Sequence, residues 1–404
     1  MPASGPEPTV PEVDLTRPEV IGDPFTAYGQ VRESSPLARL LVPGMEPWWL
    51  LTRHEDARAL LGDPRFEINA DSFMRPGVPK DCLPYMRTMA EMSGSEHARL
   101  RKLVAPAFTP RRAADFRPRM EAIAGRLLDE ARRQVPAGDG PVDLLAHFAR
   151  PLPMEVICEL VGIPEPDRTR WRAYGAFIAA GAGQEFTAAV PEIIEGAKAA
   201  VARRRADPGD DLLSDLIGVQ ADDGDRLSDV ELVALVWLLV LAGQTPANLI
   251  ANGVVALLGH PGELAALRED PALMPGAVEE LLRWCAPTLL SIPRYARQDT
   301  ELCGMPVRKG DAVTVAVAAA NRDPRAFADP ERFDVRRAKG PAGHLSFSHG
   351  PHFCVGASLA RVQTQVALTA LLRRFPDLAL AASPGELRAP DPGTWRVTAV
   401  PVTF

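Results

Sequence analysis

Hydrophobic and polar positions follow helical patterns over most of the first two thirds of the chain, up to about Ala286. Turns rich in proline and glycine, such as residues 162–166, separate these predicted helices. Residues 304–320 form a valine-rich run with a turn at residues 309–311, which predicts a short hairpin or strand segment, and residues 394–404 have a similar pattern. The pattern predicts a mainly α protein of the α+β class with a small β component.

The chain shows no internal repeat, low-complexity block or linker, so we predict a single domain over residues 1–404. Residues 1–20 are rich in proline and are predicted to be an irregular N-terminus. With 404 residues, of which 46% are hydrophobic and 24% charged, the chain can bury a sizeable core.

The stretch from Leu232 to Gly262 contains no Asp, Glu, Lys or Arg. At this length it could be a membrane span or a helix buried in a protein. Polar residues such as Gln244, Asn248 and Asn252 are costly in lipid but acceptable in a protein interior. We therefore predict a long helix through the centre of the protein and no membrane span.

Charge and cysteine content narrow the function classes. A net charge of -7 argues against a general nucleic-acid or anionic-membrane surface. Five cysteines without a CxxC pair indicate neither a disulfide framework nor a structural zinc site, which favours a reducing compartment. The N-terminus has neither the basic start nor the apolar run of a signal peptide, so we expect a cytoplasmic protein.

Cys354 follows a glycine-rich loop that begins at Phe347, and it precedes a helical pattern. The N-terminus of a helix offers unpaired N–H groups and partial positive charge, which lower the pKa of a thiol and favour the thiolate. Gly350 and Gly356 would let the backbone approach a flat ligand such as haem closely. A cysteine is more often a small buried hydrophobe. That is our prediction for the other four: Cys82, Cys158, Cys285 and Cys303.

The spacing Phe-x-x-Gly-x-x-x-Cys-x-Gly over residues 347–356 resembles the haem-binding signature of the cytochrome P450 family. The resemblance implies the cytochrome P450 fold, with haem b between the central long helix and the cysteine loop. It implies that Cys354 binds the iron and that Phe347, Gly350 and Gly356 belong to the haem-binding loop.

A Glu-x-x-Arg motif precedes this loop, as it does in the family. Glu280 and Arg283 are three residues apart, so their side chains share one helix face. Arg332 matches the family position that completes a structural triad. Taken alone, the pair would be interpreted as an exposed ion pair of little energetic value.

Four cationic residues match family positions that bind the haem propionates. His97 and Arg101 lie four residues apart on one predicted helix, while Arg294 and His352 come from separate segments. Haem carries two carboxylates, so its binding requires a cluster of cationic donors. As isolated residues, all four would be interpreted as surface charges.

The uncharged helix contains Ala242-Gly243-Gln244-Thr245, which is similar to the family run Ala/Gly-Gly-x-acid-Thr. In the family, small residues make room for O2, and an acid and an alcohol relay protons for heterolytic O–O cleavage. The resemblance therefore implies catalytic roles for these four residues.

Two alignments of this run are open, and neither supplies a carboxylate. Matched from the downstream Ala247-Asn248, Gln244 takes the acid position and Thr245 the alcohol position, which is the alignment we prefer. Matched from the upstream Ala242-Gly243, Pro246 falls on the alcohol position. Pro246 cannot donate to the Ala242 carbonyl and should bend the helix. We therefore hypothesise that ordered water, with a substrate hydroxyl, replaces the acid.

The resemblance implies a haem-thiolate monooxygenase that inserts one oxygen atom from O2 into a hydrophobic small molecule. Actinobacterial members that tailor natural products by hydroxylation or epoxidation are the nearest analogy. One alternative is an oxidative coupling or cyclisation enzyme of the same fold. Another is a non-catalytic haem protein that recruits a carrier-bound substrate.

Electrons from NAD(P)H would come through separate proteins, a ferredoxin and a ferredoxin reductase, because this length leaves no room for a flavin or nicotinamide domain. Arg111 and Arg112 could receive an acidic ferredoxin or could form only a solvated basic turn. We expect the chain to act as a monomer.

Substrate contacts are expected from residues 68–92 and from a helix pair at residues 171–191. Four further positions could contact substrate or could equally belong to the core. They are Val240, Leu289, Leu290 and Trp395.

Overall fold

The computed structural model describes residues 10–73, 77–135, 140–180, 184–219, 224–338 and 340–404, without the side chains of residues 177–180 and 244. Helices dominate the described part and the strands are short, which confirms the predicted mainly α class. The helices are α1 (Pro18–Gly22), α2 (Pro24–Ser34), α3 (His54–Gly62), α4 (Leu83–Met86), α5 (Gly94–Val104), α6 (Pro110–Asp115), α7 (Arg117–Arg133), α8 (Pro151–Leu160), α9 (Glu165–Ala180), α10 (Gln184–Ala206), α11 (Leu212–Gly218), α12 (Asp229–Ala242), α13 (Gln244–Gly259), α14 (Pro261–Glu269), α15 (Met274–Trp284), α16 (Val317–Ala320) and α17 (Ala357–Arg374).

The strands form one larger sheet and two small ones. They are β1 (Glu12–Asp14), β2 (Leu37–Leu41), β3 (Trp48–Leu51), β4 (Phe66–Glu67), β5 (Val142–Asp143), β6 (Arg294–Ala296), β7 (Thr300–Leu302), β8 (Met305–Val307), β9 (Ala312–Val315), β10 (Ala379–Leu380) and β11 (Pro401–Thr403). The larger sheet has the order β1-β2-β3-β9-β6-β4. The small sheets are β10-β11-β5 and β7-β8.

The strand predictions are right in kind but incomplete. Residues 304–320 supply β8 and β9, yet these strands do not pair with each other: β8 pairs with β7, and β9 pairs with β3 and β6. Residues 394–404 supply β11. The prediction of an irregular N-terminus is wrong for β1, which pairs in parallel with β2. Residues 1–9 lie outside the described residues.

The predicted long central helix is divided into α12 and α13 at Gly243. A Cβ on Gly243 would lie 2.8 Å from Ile157 Cδ1, so α8 approaches the backbone closely at this point. Pro246 falls in the first turn of α13, where its lack of an N–H is tolerated. The helix is therefore interrupted at Gly243, three residues before the proline at which the bend was predicted.

A capping box fixes the start of α12. Ser228 N donates to Glu231 Oε2 at 2.7 Å, while Ser228 Oγ accepts from Glu231 N at 3.3 Å. The span Asp229–Gly259 is long and apolar enough to cross a membrane, with mean hydropathy 1.7, but 59% of its most apolar window is buried inside the protein. Core helices pass the same test. Packing of α12 on α10 and of α13 on α17 is that of buried helices.

Helix α17 orients the cysteine loop, which immediately precedes it. It packs on α7, α13 and α15 through buried residues such as Val366, Leu368 and Leu371. The loop is thereby held beside the central helices.

Candidate haem-thiolate site

The loop before α17 has a conformation that depends on its glycine. Gly350 has φ +71°, and a Cβ there would lie 2.8 Å from the carbonyl oxygen of Leu61. Cys354 N donates to the Phe347 carbonyl at 2.9 Å, and Phe353 N donates to the Gly350 carbonyl at 3.0 Å. Gly350 is thus required by its backbone conformation and by the close approach of α3.

Cys354 lies at the end of this loop in an environment that only partly favours a thiolate. Burial raises the pKa of its thiol, while the Gly356 backbone N–H and the charges of Arg101 and Arg361 lower it, and burial outweighs them. The expected lowering by the helix N-terminus is therefore present but insufficient in the protein alone. A metal ion bound to the sulfur would supply the missing positive charge, since a coordinating thiol is deprotonated.

The remaining cysteines divide between the interior and the surface. Cys82, Cys158 and Cys285 are buried, as predicted. Cys303 is exposed in the β7–β8 turn with φ 50°, so the prediction of a buried hydrophobe is wrong for it.

The four predicted propionate-binding residues form one group, termed the cationic cluster, in which the two arginines are charged and the two histidines would become charged beside a carboxylate. The rings of His97 and His352 stack with centroids 4.2 Å apart, and Arg101 and Arg294 act electrostatically on His352. Burial, followed by repulsion from His97, Arg294 and Arg101, lowers the pKa of His352 to about 3. Burial likewise lowers the pKa of Arg294 to about 10, although Asp63 opposes this.

This cluster fits a dianionic ligand. Arg294 is 3% exposed, and its Nε has no hydrogen-bond partner in the described part of the chain. Carboxylates would pair with this buried unpaired donor and would favour the charged form of the neighbouring histidines, and haem carries two carboxylates. The residues present therefore fit haem: Cys354 would hold its iron, and His97, Arg101, Arg294 and His352 would hold its propionates.

The junction of α12 and α13 falls within residues 242–245, the run that resembles the oxygen-binding motif of the family. Ala242 and Thr245 are exposed, whereas the neighbouring Val240 and Ala247 are buried. Gly243 is buried against Ile157, and Pro246 is half-buried. The side chain of Gln244 lies outside the described residues. Ala242 is the last residue of α12 and Thr245 is the second residue of α13, so the two lie on either side of Gly243.

The structural triad forms with a different third arginine. Arg283 Nε and Nη2 donate to the Glu280 carboxylate at 2.7 and 2.8 Å, and both side chains are buried. Arg337 Nε donates to the same carboxylate at 3.0 Å. The Arg332 side chain is 65% exposed and lies 3.7 Å from Asp334, so Arg332 is not the third member. The chain turns between these arginines, and Arg332 contributes only its carbonyl, which accepts from Arg283 and Arg337.

The expected substrate-contact residues lie mostly in the core. Val240 and Leu289 have no exposed surface, so neither lines a cavity. Leu290 is half-buried in a β-bridge with Ala316. The Trp395 ring lies 4.8 Å from the Phe25 ring and beneath the Arg388 guanidinium, so these ring contacts are with other side chains.

The two predicted substrate segments are partly outside the described residues, at 74–76 and 181–183. Within them, Met86, Met89 and Met92 are buried in the main core. Ile292 is an exposed apolar residue, with 40% of its surface accessible, two residues before the buried Arg294.

Together, the thiol at a helix N-terminus and the unneutralised cationic cluster define a haem-thiolate protein. The family model for cytochrome P450 matches residues 178–381. The chain is 40% identical over 400 residues to the cytochrome P450 monooxygenase PikC of Streptomyces venezuelae, covering 98% of this chain and 95% of PikC. It is 43% identical to cytochrome P450 107B1 of Saccharopolyspora erythraea, with 91% of each chain covered. The chain belongs to the cytochrome P450 family.

Solved structures agree with this assignment. The polyketide synthase cytochrome P450 PksS of Bacillus subtilis superimposes with TM-score 0.87 at 34% identity, covering 96% of this chain and 98% of PksS. The mixed-function P450 MycG F286A mutant, in complex with mycinamicin IV, superimposes with TM-score 0.85 at 37% identity and 98% coverage of this chain and 100% of that chain. The predicted cytochrome P450 fold is confirmed, and the chain is a monooxygenase whose cofactor is haem.

Proposed function

We propose that this monooxygenase hydroxylates or epoxidises a hydrophobic secondary-metabolite intermediate of the macrolide type. Relatives with 40% and 42% identity are named 6-deoxyerythronolide B hydroxylase and mycinamicin IV hydroxylase/epoxidase. The observation that carries the proposal is the exposure of Ala242 and Thr245 between the buried Val240 and Ala247, because it leaves room for O2 and substrate at this point.

The protein residues have separate tasks in this proposal. Haem supplies the activation of O2 by two electrons, and Cys354 donates electron density to it. The cationic cluster of His97, Arg101, Arg294 and His352 neutralises the propionates and fixes the orientation of the ring. Thr245 Oγ1 would hold a proton-donating water at the helix junction, where Gln244 supplies no titratable acid.

We propose that electrons from NAD(P)H arrive through a ferredoxin and its reductase. Arg111 is 90% exposed, with Asp115 at 4.0 Å, whereas Arg112 is held by Asp215 at 2.8 Å. Arg111 is therefore the more available of the two for an acidic partner. The expectations of a cytoplasmic, monomeric protein with a single domain over residues 1–404 stay predictions.

The reduced protein with carbon monoxide tests the thiolate ligand. We expect a thiolate-type Soret band that is lost in Cys354→Ser and kept in the matched control Cys303→Ser, whose cysteine is exposed. A wild-type protein that is folded and haem-loaded but lacks this band would contradict the assignment.

Product mass tests the reaction. Macrolide intermediates are screened for a substrate-induced spectral shift and then turned over with a surrogate ferredoxin system. Hydroxylation or epoxidation adds one oxygen atom to the product. Loss of two hydrogens without added oxygen would instead favour the coupling or cyclisation alternative.

A further inference from the structure

A second charged cluster lies behind the cysteine loop and is not used by the proposed function. Arg361 of α17 donates to Glu279 of α15 through Nε at 2.6 Å and through Nη2 at 3.0 Å. His344 Nε2 lies 3.4 Å from the same carboxylate. Although burial alone would raise it, His344 and Arg361 hold the pKa of Glu279 at about 2. Glu279 is therefore a carboxylate at neutral pH.

The Arg361 guanidinium reaches the cysteine loop, as does the His344 ring, which lies 5.7 Å from the Phe347 ring. The guanidinium lies over the Phe347 ring, 4.6 Å from the centroid. The carbonyl of Phe347 in turn accepts the Cys354 backbone N–H at 2.9 Å. The Arg361 charge therefore lies against the residue whose carbonyl holds the Cys354 backbone.

Glu279 determines where this charge is placed. Two parallel hydrogen bonds fix both the position and the plane of the guanidinium. The side chains of Arg361 and Glu279 are each 28% exposed, so solvent screens the charge only in part. Without the carboxylate, a long arginine side chain would be free to turn toward water.

We propose that Arg361, held by Glu279, is a positioning residue that raises the reduction potential of the haem bound at Cys354. A redox protein with an iron–sulfur cluster or a flavin would donate one electron. This electron adds one negative charge to the haem iron and its Cys354 ligand, and no proton or bond is required to balance it. A fixed cation nearby stabilises this more negative state. The inference rests on the haem-thiolate assignment.

Potentiometric titration of the haem-loaded protein tests the inference. Arg361→Gln is expected to shift the midpoint potential to lower values, whereas Arg361→Lys, which keeps the charge, should lie nearer the wild type. The double variant Glu279→Gln with Arg361→Gln leaves no carboxylate without its partner. Its midpoint potential should also lie below that of the wild type. Arg374→Gln is the matched control, because Arg374 pairs with Asp129 at the far end of the same helix.

Each result decides the question. Potentials of both Arg361→Gln proteins equal to the wild type, with thiolate-type Soret bands intact, would overturn the inference and leave the proposed function standing. If all Arg361 variants fail to hold haem while Arg374→Gln holds it, the role of Arg361 is structural and the inference fails. A wild-type protein without a thiolate band would instead overturn the proposed function.

Discussion

Arg337 Nε donates to Glu280 Oε2 at 3.0 Å, the same oxygen that Arg283 Nε contacts at 2.7 Å. Glu280 is 3% exposed, so its charge depends on these two guanidinium groups. Arg337 also donates to the carbonyls of Ala328, Asp329 and Arg332, which ties the loop before the cysteine segment to α15.

We predict that Arg337→Gln destabilises the protein by about 2 kcal/mol, because it removes a hydrogen bond to the buried Glu280 carboxylate, which Arg283 alone then neutralises, and the bonds to the loop carbonyls. Arg332→Gln, the matched control, should change the free energy of unfolding by less than about 0.5 kcal/mol because its side chain is largely exposed. Urea unfolding of the two variants measures the difference. Equal losses in both would contradict the assignment of Arg337 to the triad.

Gly350→Ala is predicted to disturb the cysteine loop. The substitution places a Cβ 2.8 Å from the Leu61 carbonyl oxygen at a residue with φ +71°. A strained backbone conformation alone costs about 1–3 kcal/mol, and the contact adds to this. We expect weaker haem retention, measured by haem transfer to apomyoglobin.

Gly343→Ala is the control for this substitution, because an added Cβ there has no neighbour within 4 Å. Its haem retention should match the wild type. If Gly350→Ala retained haem equally well, the close approach of α3 would not constrain the loop.

The sequence identified the cysteine loop and the cationic cluster because long motifs with fixed order specify them. It could not select Arg337 over Arg332, since both lie in one basic segment and only the turn of the chain decides which side chain reaches Glu280. Val240 and Leu289 show the same limit, because an apolar residue has the same pattern in a core and in a cavity wall.

The strands near the N-terminus were missed for a related reason. Trp48–Leu51 is a short, wholly apolar run that lacks the alternation of a half-buried strand. Its partners are Leu37–Leu41, nearby in the chain, and Ala312–Val315, which is distant. Periodicity contains no information about such long-range pairing.

Glu279 is predicted to make stability depend on pH in the acid range. Its pKa falls from 4.5 in the unfolded chain to about 2 in the folded protein, so its stabilising contribution is complete above about pH 4.5. As the pH falls toward 2, protonation removes this contribution. Thermal unfolding of Glu279→Gln should therefore approach that of the wild type as the pH is lowered from 4.5 to 2.

Asp129→Asn provides the comparison. Asp129 pairs with Arg374, which lies on the same helix as Arg361, but the Asp129 side chain is about half exposed. Its difference from the wild type should be small throughout this range. A constant difference between Glu279→Gln and the wild type from pH 4.5 to 2 would be inconsistent with the depressed pKa of Glu279.

Proton delivery at the helix junction gives the last prediction. Thr245 is exposed beside Ala242, and Pro246 cannot donate to the Ala242 carbonyl, which leaves polar groups for water at this point. Thr245→Ala should lower the fraction of NAD(P)H electrons recovered in product by about tenfold, less than the ~10²-fold typical of a positioned proton donor because water substitutes in part. Thr245→Ser retains the hydroxyl and should retain most of the coupling, and Gln244→Glu should increase it by supplying a titratable acid. The measurement is the amount of product and of peroxide formed per NAD(P)H consumed. Unchanged coupling in Thr245→Ala would exclude Thr245 from the proton relay. It would favour the alignment that puts Pro246 at the alcohol position.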